Sequence, residues 1–255
     1  MNNHLATDCY PDKPRLICLD ETDSTNRYLQ TLSQTESLAN ETVVVAGFQT
    51  TGKGQPGHFW ESEANKNLTY SILYYPTRLP ANQPFVISEL AALSVKQTLD
   101  NYATDITVKW PNDIYWKDLK ICGILIENEL TEGWLNRSII GIGLNLNQRI
   151  FQGDAPNPVS LIQITGVACD RMAILDRLRD AFHRLHIRLE TEGMTAIHRE
   201  YVSALYRRDG FHLFRDAEGI FKAKIAQVDL SGHLKLERSD GRFSHYAFKE
   251  VAFIP

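Results

Sequence analysis

The chain has 255 residues, 43% hydrophobic and 23% charged, enough to bury a full core without disulfide staples. Its 15 glycines and 10 prolines exclude collagen-like and low-complexity classes. With 27 basic against 31 acidic residues, net −4, it offers no broad electrostatic footprint for nucleic acid, and no apolar run is long enough to span a membrane.

The first residues, MNNHLATDCYPDKP, lack the basic start and apolar stretch of a secretory signal, so a cytoplasmic location is expected. Cys9, Cys18, Cys122 and Cys169 make no C-x-x-C pair and no zinc spacing, which suits free thiols in a reducing compartment. After this polar arm, residues 15–20 (RLICLD) read as a strand. Asp23-Ser24-Thr25-Asn26 offers N-cap chemistry before a helical stretch at 27–38. Residues 42–47 are a β-branched strand, 47–60 a glycine-rich loop, and 67–75 a strand. Pro84 opens a helix over 85–103 with an apolar stripe through Phe85, Leu93 and Leu99. ITVKW, ICGILIENEL and RSIIGIGLNLN then follow as strands.

From Asp170 the pattern turns helical, with Met172, Leu175, Leu178, Phe182, Leu185 and Leu189 three and four apart. Gly193 breaks it, and 195–206 forms a further short helix. Beyond Arg208-Asp209-Gly210 come five short strands separated by turn clusters, the texture of a small β-barrel.

Three stretches could carry chemistry. GFQTTGKG at 47–54 follows a strand as a P-loop does, but Gly54 stands where that motif needs a magnesium-ligating Ser or Thr, and Gln55-Pro56-Gly57 opens no helix. It is either a surface loop or one whose bare backbone closes over an anion, with Lys53 for charge and Trp60 as a flat apolar wall. The stretch 108–127 reads as a hairpin: Lys109-Trp110 end a strand, Pro111 stops it, Asn112-Asp113 sit at the turn, and a second strand starts near Lys120 and contains Gly123. Amide, carboxylate and ammonium groups thus share one mouth, although Pro-Asn-Asp also suits an ordinary β-turn. Gly141 and Gly143 lack the third glycine and the helix of a dinucleotide fingerprint; in a strand they suggest close approach of a ligand or backbone. Asn145 and Asn147 then share one face. His183 and His186, three apart on a helix, read as a solvated face because no third ligand is nearby in sequence.

The order of these pieces, Asp23-Ser24-Thr25-Asn26, GFQTTGKGQPGHFW, KWPND with Lys120 and Gly123, and GIGLNLN, resembles the biotin protein ligases. That resemblance implies an α+β fold: a mixed sheet with helices packed on one face, of the class II synthetase-like kind, over residues 15–206. Residues 1–14 would be an arm and 207–255 an SH3-like domain. Without a helix-turn-helix before Arg15 the chain is similar to the monofunctional kind, so no DNA partner is expected, and a symmetric dimer stays open. The implied reaction activates biotin with Mg2+ and ATP to biotinyl-5′-AMP, then biotinylates a lysine of a biotin carboxyl carrier domain of acetyl-CoA carboxylase or a related carboxylase. Two anions must be brought together and their mixed anhydride kept dry.

By the same resemblance, Lys120 bridges biotin carboxylate and α-phosphate, with Asp113 as its catalytic companion. Ser24, Thr25, Asn26, Gln49, Gly52, Lys53, Gly54, Gln55, Lys120 and Gly123 surround biotin, Gly123 by leaving room beside the strand. Lys53, Gln55, His58, Trp60, Asn112, Asp113, Lys120 and Asn145 meet the nucleotide, and magnesium binds mainly through ATP, near Asp113. Family loops often carry Arg where Lys53, Gln55 and His58 stand, so a looser grip on the adenylate is expected at high pH. Two other readings remain: a lipoate or octanoyl ligase or transferase, which would not be expected to carry KWPND with Lys120 and Gly123, and a non-catalytic biotin sensor, which the acidic balance opposes.

Overall fold

Seven strands build one mixed sheet: β1 (Leu16–Thr22), β2 (Val43–Gln49), β3 (Leu68–Tyr74), β4 (Ile106–Lys109), β5 (Asp113–Trp116), β6 (Leu119–Thr131) and β7 (Trp134–Leu144). The structure is a computed structural model that describes residues 14–52, 54, 59–153, 155 and 157–254. The strand order is β1-β2-β3-β7-β6-β5-β4. Only β1 and β2 are parallel, because the helix α1 (Thr25–Thr35) provides the crossover that a parallel pair needs. Glu132 and Gly133, at φ 52° and 85°, make the two-residue turn that joins β6 to β7.

Alternation along these strands sorts side chains onto two faces. Ile140, Ile142 and Leu144 of β7 enter the main core with α2 (Phe85–Leu99), α4 (Arg171–Glu192) and α5 (Met194–Ser203). Ile139, Leu73 and Val44 instead meet Leu29 of α1 and Leu38 in a small cluster on the other face. Three helices therefore cover one face, and α1 covers the other only over β1–β3 and the adjoining part of β7. Asp170 caps α4 by accepting from Met172 N and Ala173 N, and Gly193, at φ 81°, ends it as the sequence indicates.

Three local expectations are corrected. Asp113 does not sit in the turn after Pro111 but begins β5, whose Ile114 pairs with Val108 and is buried. The strand holding Lys120 is therefore not the hairpin partner of β4, as expected, but pairs with β5, which lies between them. The strand through Gly141 and Gly143 stops at Leu144, so Asn145 and Asn147 lie beyond it and act as braces: Asn145 Nδ2 donates to Val159 O, and Asn147 Nδ2 donates to Cys169 O. A short helix, α3 (Leu161–Thr165), follows, held by a reciprocal bond pair between Ser160 and Gln163. Cys18, Cys122 and Cys169 are free thiols, whereas Cys9 lies outside the described residues. No helix among the described residues is long and apolar enough to cross a membrane.

The five C-terminal strands, β8 (His212–Asp216), β9 (Gly219–Val228), β10 (Leu234–Arg238), β11 (Phe243–Tyr246) and β12 (Ala252–Phe253), form an antiparallel sheet of order β11-β10-β9-β8-β12. Its buried residues Phe214, Val228, Leu234 and Leu236 are continuous with the main core. Trp110 Nε1 donates to Gly232 O at 2.9 Å. Gly232 needs to be glycine twice over: its φ is 93°, and a Cβ there would lie 2.5 Å from Phe85 Cδ2.

His198 is the polar clasp between the two sheets' supports. Its Nδ1 lies 2.6 Å from Glu89 Oε1 of α2 and its Nε2 2.9 Å from Val228 O of β9. Both ring nitrogens face acceptors, which favours imidazolium. The Glu89 bond outweighs burial and raises the His198 pKa, with Asp229 adding to it. Burial pushes the Glu89 carboxyl up while His198 pulls it down; with acceptors on both nitrogens, the raised imidazole governs the pair. A raised folded value means this stabilisation is fully present below the unfolded pKa of about 6.5 and is lost as pH rises through the folded value. Thermal or urea denaturation from pH 6 to 9 is expected to show His198→Gln less stable than the parent by about 1–3 kcal/mol at the acid end. The gap should narrow toward alkaline pH; a gap that widens contradicts the clasp.

Candidate active site

On β6 and β7 the residues facing away from the core are Gly123, Leu125 and Glu127, and Ile139, Gly141 and Gly143. Gly123 pairs directly with Gly143, and Leu125 with Gly141. Neighbouring strands thus lose their side chains at the same level, and bare backbone forms a floor. Trp60 lies on it: a Cβ at Gly143 would come within 2.3 Å of Trp60 Cε2, and one at Gly123 within 2.8 Å of Cζ3. The room expected at Gly123 for a ligand is therefore taken by the indole. Asn26 claims the space at Gly141 in the same way, its Oδ1 lying 2.3 Å from a Cβ built there. Above the floor opens a cleft of about 700 Å³.

One end of the cleft is polar. Ser24 is the α1 N-cap residue, extended at φ −160°, but its hydroxyl makes no capping bond. Gln49 Oε1 accepts from Thr25 N at 2.7 Å and from Thr25 Oγ1 at 3.1 Å. Ser71 Oγ lies 2.7 Å from Thr25 Oγ1 and 2.6 Å from Asn26 Oδ1. Asn26 Nδ2 donates to Glu127 Oε2 at 2.7 Å, so the whole Asn26 amide is occupied in bracing α1 against the sheet.

The other end is charged. Lys120 Nζ and Asp113 Oδ1 form an ion pair at 2.7 Å, both side chains part-exposed. A register irregularity between Ile114 and Tyr115 sets Tyr115 opposite Lys120, the kind of bulge that re-aims a side chain. The Lys120 backbone is gripped on its outer side: its N donates to Asn157 O and its O accepts from Val159 N. Lys109 Nζ donates to Tyr115 OH at 2.9 Å; burial lowers its pKa, against the attraction of Asp113. Asn112 stands on the same wall, and Phe248 and Val251 of the β11–β12 connection, with Phe253 of β12, line the far side.

The structure thus brings Ser24, Thr25, Asn26, Gln49, Gly54, Trp60, Asn112, Asp113, Lys120 and Gly123 to one cleft. Gly52 lies behind it, its O accepting from Trp60 N at 3.0 Å. Lys53, Gln55 and His58 lie outside the described residues. Asn145 is not a cleft-lining residue; it is buried, and its Oδ1 finds no partner among the described residues. Sequence reasoning missed Ser71 and Glu61. Ser71 stands out in retrospect as a polar residue in the buried β3 run. Glu61 lines the cleft and accepts from Gln152 N and Gly153 N. The arrangement suits a ligand with a compact polar head, an apolar middle and an anionic end. The last would meet two lysines, whose charge can stabilise developing negative charge.

Residues 18–145 match the biotin/lipoate A/B protein ligase family. The bifunctional ligase/repressor BirA of Bacillus subtilis (strain 168) is 31% identical over 231 residues, covering 84% of this chain and 70% of that one. The biotin--[acetyl-CoA-carboxylase] ligase of Paracoccus denitrificans is 30% identical over 234 residues, covering 88% and 95% respectively. Among solved structures, the biotin protein ligase from Aquifex aeolicus in complex with biotin and ATP shares the fold. Its TM-score is 0.75 at 24% identity, over 93% of this chain and 97% of that one.

Gly143→Ala sets a methyl group against the indole and is expected to lift Trp60 from the floor. Tryptophan emission should shift relative to the parent, the shift should vanish in a Trp60→Phe background, and stability should fall by about 1–3 kcal/mol. Unchanged emission and stability would contradict the packing.

Proposed function

The chain belongs to the biotin/lipoate A/B protein ligase family, and we propose that it is a biotin protein ligase acting on the biotin carboxyl carrier of acetyl-CoA carboxylase. It activates biotin with ATP to biotinyl-5′-AMP, releases pyrophosphate, and passes the biotinyl group to a carrier lysine. The observation that carries this reading is the Lys120–Asp113 pair, standing at one end of a glycine floor whose other end is a hydrogen-bonding cluster.

Ser24, Thr25 and Gln49 receive the ureido head of biotin, a small group whose polar atoms need partners once buried. The Trp60 face lines the ring and the aliphatic arm, which runs toward Lys120. A biotin carboxylate oxygen then attacks the α-phosphorus; the new O–P bond forms as the bond to pyrophosphate breaks. Lys120 touches both anions and gains most where charge is greatest, at the five-coordinate phosphorus. Asp113 holds the Lys120 ammonium at the mouth, and Lys109 adds a second positive charge. Asn112 and Asp113 supply oxygen donors of the type that suits Mg2+; that ion, arriving with ATP, would neutralise triphosphate charge. In the second step the carrier lysine amine attacks the biotinyl carbonyl and AMP leaves. Phe248, Val251 and Phe253 shield the anhydride from water, which gives residues 207–255 a part in the site while 15–206 carry the chemistry. The net charge of −4 gives no reason to add DNA binding to this role, and an ATP-dependent reaction on a carboxylase fits a cytoplasmic setting.

Calorimetry with biotin, then with biotin, ATP and magnesium, followed by mass spectrometry of the bound species, tests the reading. Tight biotin binding with biotinyl-AMP appearing is expected; binding of lipoate in preference to biotin would overturn it. Lys120→Ala should slow adenylate formation about 10²–10³-fold and transfer from supplied biotinyl-AMP far less. Equal loss in both half-reactions would contradict the role of Lys120.

A further inference from the structure

Away from the cleft, at the Val43 end of β2, side chains from two distant segments converge. Glu41 comes from the loop before β2, and His183 and His186 from successive turns of α4. The histidines are not simply a solvated face: the His186 side chain is 10% exposed and Glu41 13%, while His183 stays open at 60%. Both Nδ1 atoms point at one carboxylate, His183 at 3.0 Å from Glu41 Oε2 and His186 at 2.5 Å from Oε1. One donor atom from each of the three residues lies within 4.8 Å of the others.

Two further observations mark the cluster. Glu41 holds a φ of 63°, a region non-glycine residues seldom occupy, and its backbone N is fixed there by Leu73 O at 2.8 Å and Asn40 Oδ1 at 3.0 Å. His186 Nε2 is buried and sits 3.2 Å from Glu190 Oε1, yet off the line that a hydrogen bond requires. Glu190 is itself positioned by Thr77 Oγ1 at 2.9 Å.

We propose that Glu41, His183 and His186 form a binding site for a divalent transition metal of the zinc type, with Glu190 orienting His186. Two imidazole nitrogens and one carboxylate are a donor set that zinc favours, commonly completed by water. Ligands at about 2.0–2.2 Å around a tetrahedral ion lie about 3.3 Å apart. The His–Glu separations of 2.5 and 3.0 Å need open by less than about 1 Å to admit it. An ion would replace both Nδ1 protons at once. Two carboxylates close by supply the negative charge that a dication needs, and exposed His183 gives it an entry path. A metal-bound histidine usually donates its other ring N–H to a carboxylate, a role that Glu190, 3.2 Å away, takes once the His186 ring turns to bring Nε2–H into line. The ion would tie α4 to the α1–β2 loop, at the other end of β2 from Gln49 and the cleft, so it is a stabilising site independent of the ligase reaction.

The test is calorimetry of chelator-treated full-length protein with zinc chloride, with melting temperature read in parallel and cobalt(II) absorption as a probe of coordination. One ion per chain at micromolar free zinc, a raised melting temperature and a tetrahedral cobalt spectrum are expected. His183→Ala, chosen because the residue is exposed and the fold does not depend on it, should weaken zinc binding at least tenfold and abolish the cobalt spectrum. Glu190→Gln should weaken it about 10–100-fold. Absence of zinc binding overturns the proposal, as does binding that survives both His183→Ala and Glu41→Gln undiminished. In either case the cluster is a hydrogen-bonded brace only.

Discussion

Gly123 lies opposite Gly143, and Gly141 one pair further along, all on the face of the sheet turned away from α2, α4 and α5. This bare stretch lets an indole lie flat where two ordinary side chains would stand. It lowers one region of the sheet by the thickness of a side chain while the strands on either side keep theirs. Stiffness comes from the face beneath: Ile124, Ile140 and Ile142 are packed into the main core with the helices on the side away from the cleft. A hole in the side-chain layer costs little because the core lies on the other side of the backbone.

The chemistry is then placed by elements at the ends of that stretch. The N-terminus of α1 and the end of β2 meet through the Thr25–Gln49 bonds, with Ser71 of β3 beneath bonded to Thr25 and Asn26. At the opposite end the β5–β6 irregularity and the strand-like grip of residues 157–159 fix where Lys120 emerges. The C-terminal sheet is anchored through Trp110, Phe85 and His198. Those anchors are what bring Phe248 and Phe253 to the rim of the cleft. The small sheet is therefore part of the wall, which its own sequence, read as five strands and turns, does not disclose.

Much of this was legible because it is local. Alternation and β-branched runs marked the strands, periodicity marked α2 and α4, and Gly193 marked a helix end that the structure keeps. Asp113 was misplaced because Pro-Asn-Asp is good turn chemistry, and the short strand β5 that it opens went unread: the expected hairpin ran straight to a strand near Lys120, whereas β4 pairs with β5 and β5 with β6. Asn145 and Asn147 continued an alternating pattern past the point where β7 loses its partners, so their side chains serve as braces. Ser71 was hidden in an apolar run, since nothing local distinguishes a buried hydroxyl with partners from one without. The His183–His186 pair lacked a third ligand in sequence because Glu41 is 142 residues from His183 along the chain. Contacts of that range follow from topology, which no window of residues contains.

Amide hydrogen exchange with and without biotin, read peptide by peptide, tests most directly whether the bare face of the sheet is where this protein works. Protection is predicted at residues 24–26, 49, 120–125 and 139–143, with α4 and the Glu41 loop unchanged. Protection centred on α4, or none in β6 and β7 at saturating biotin, would contradict the account.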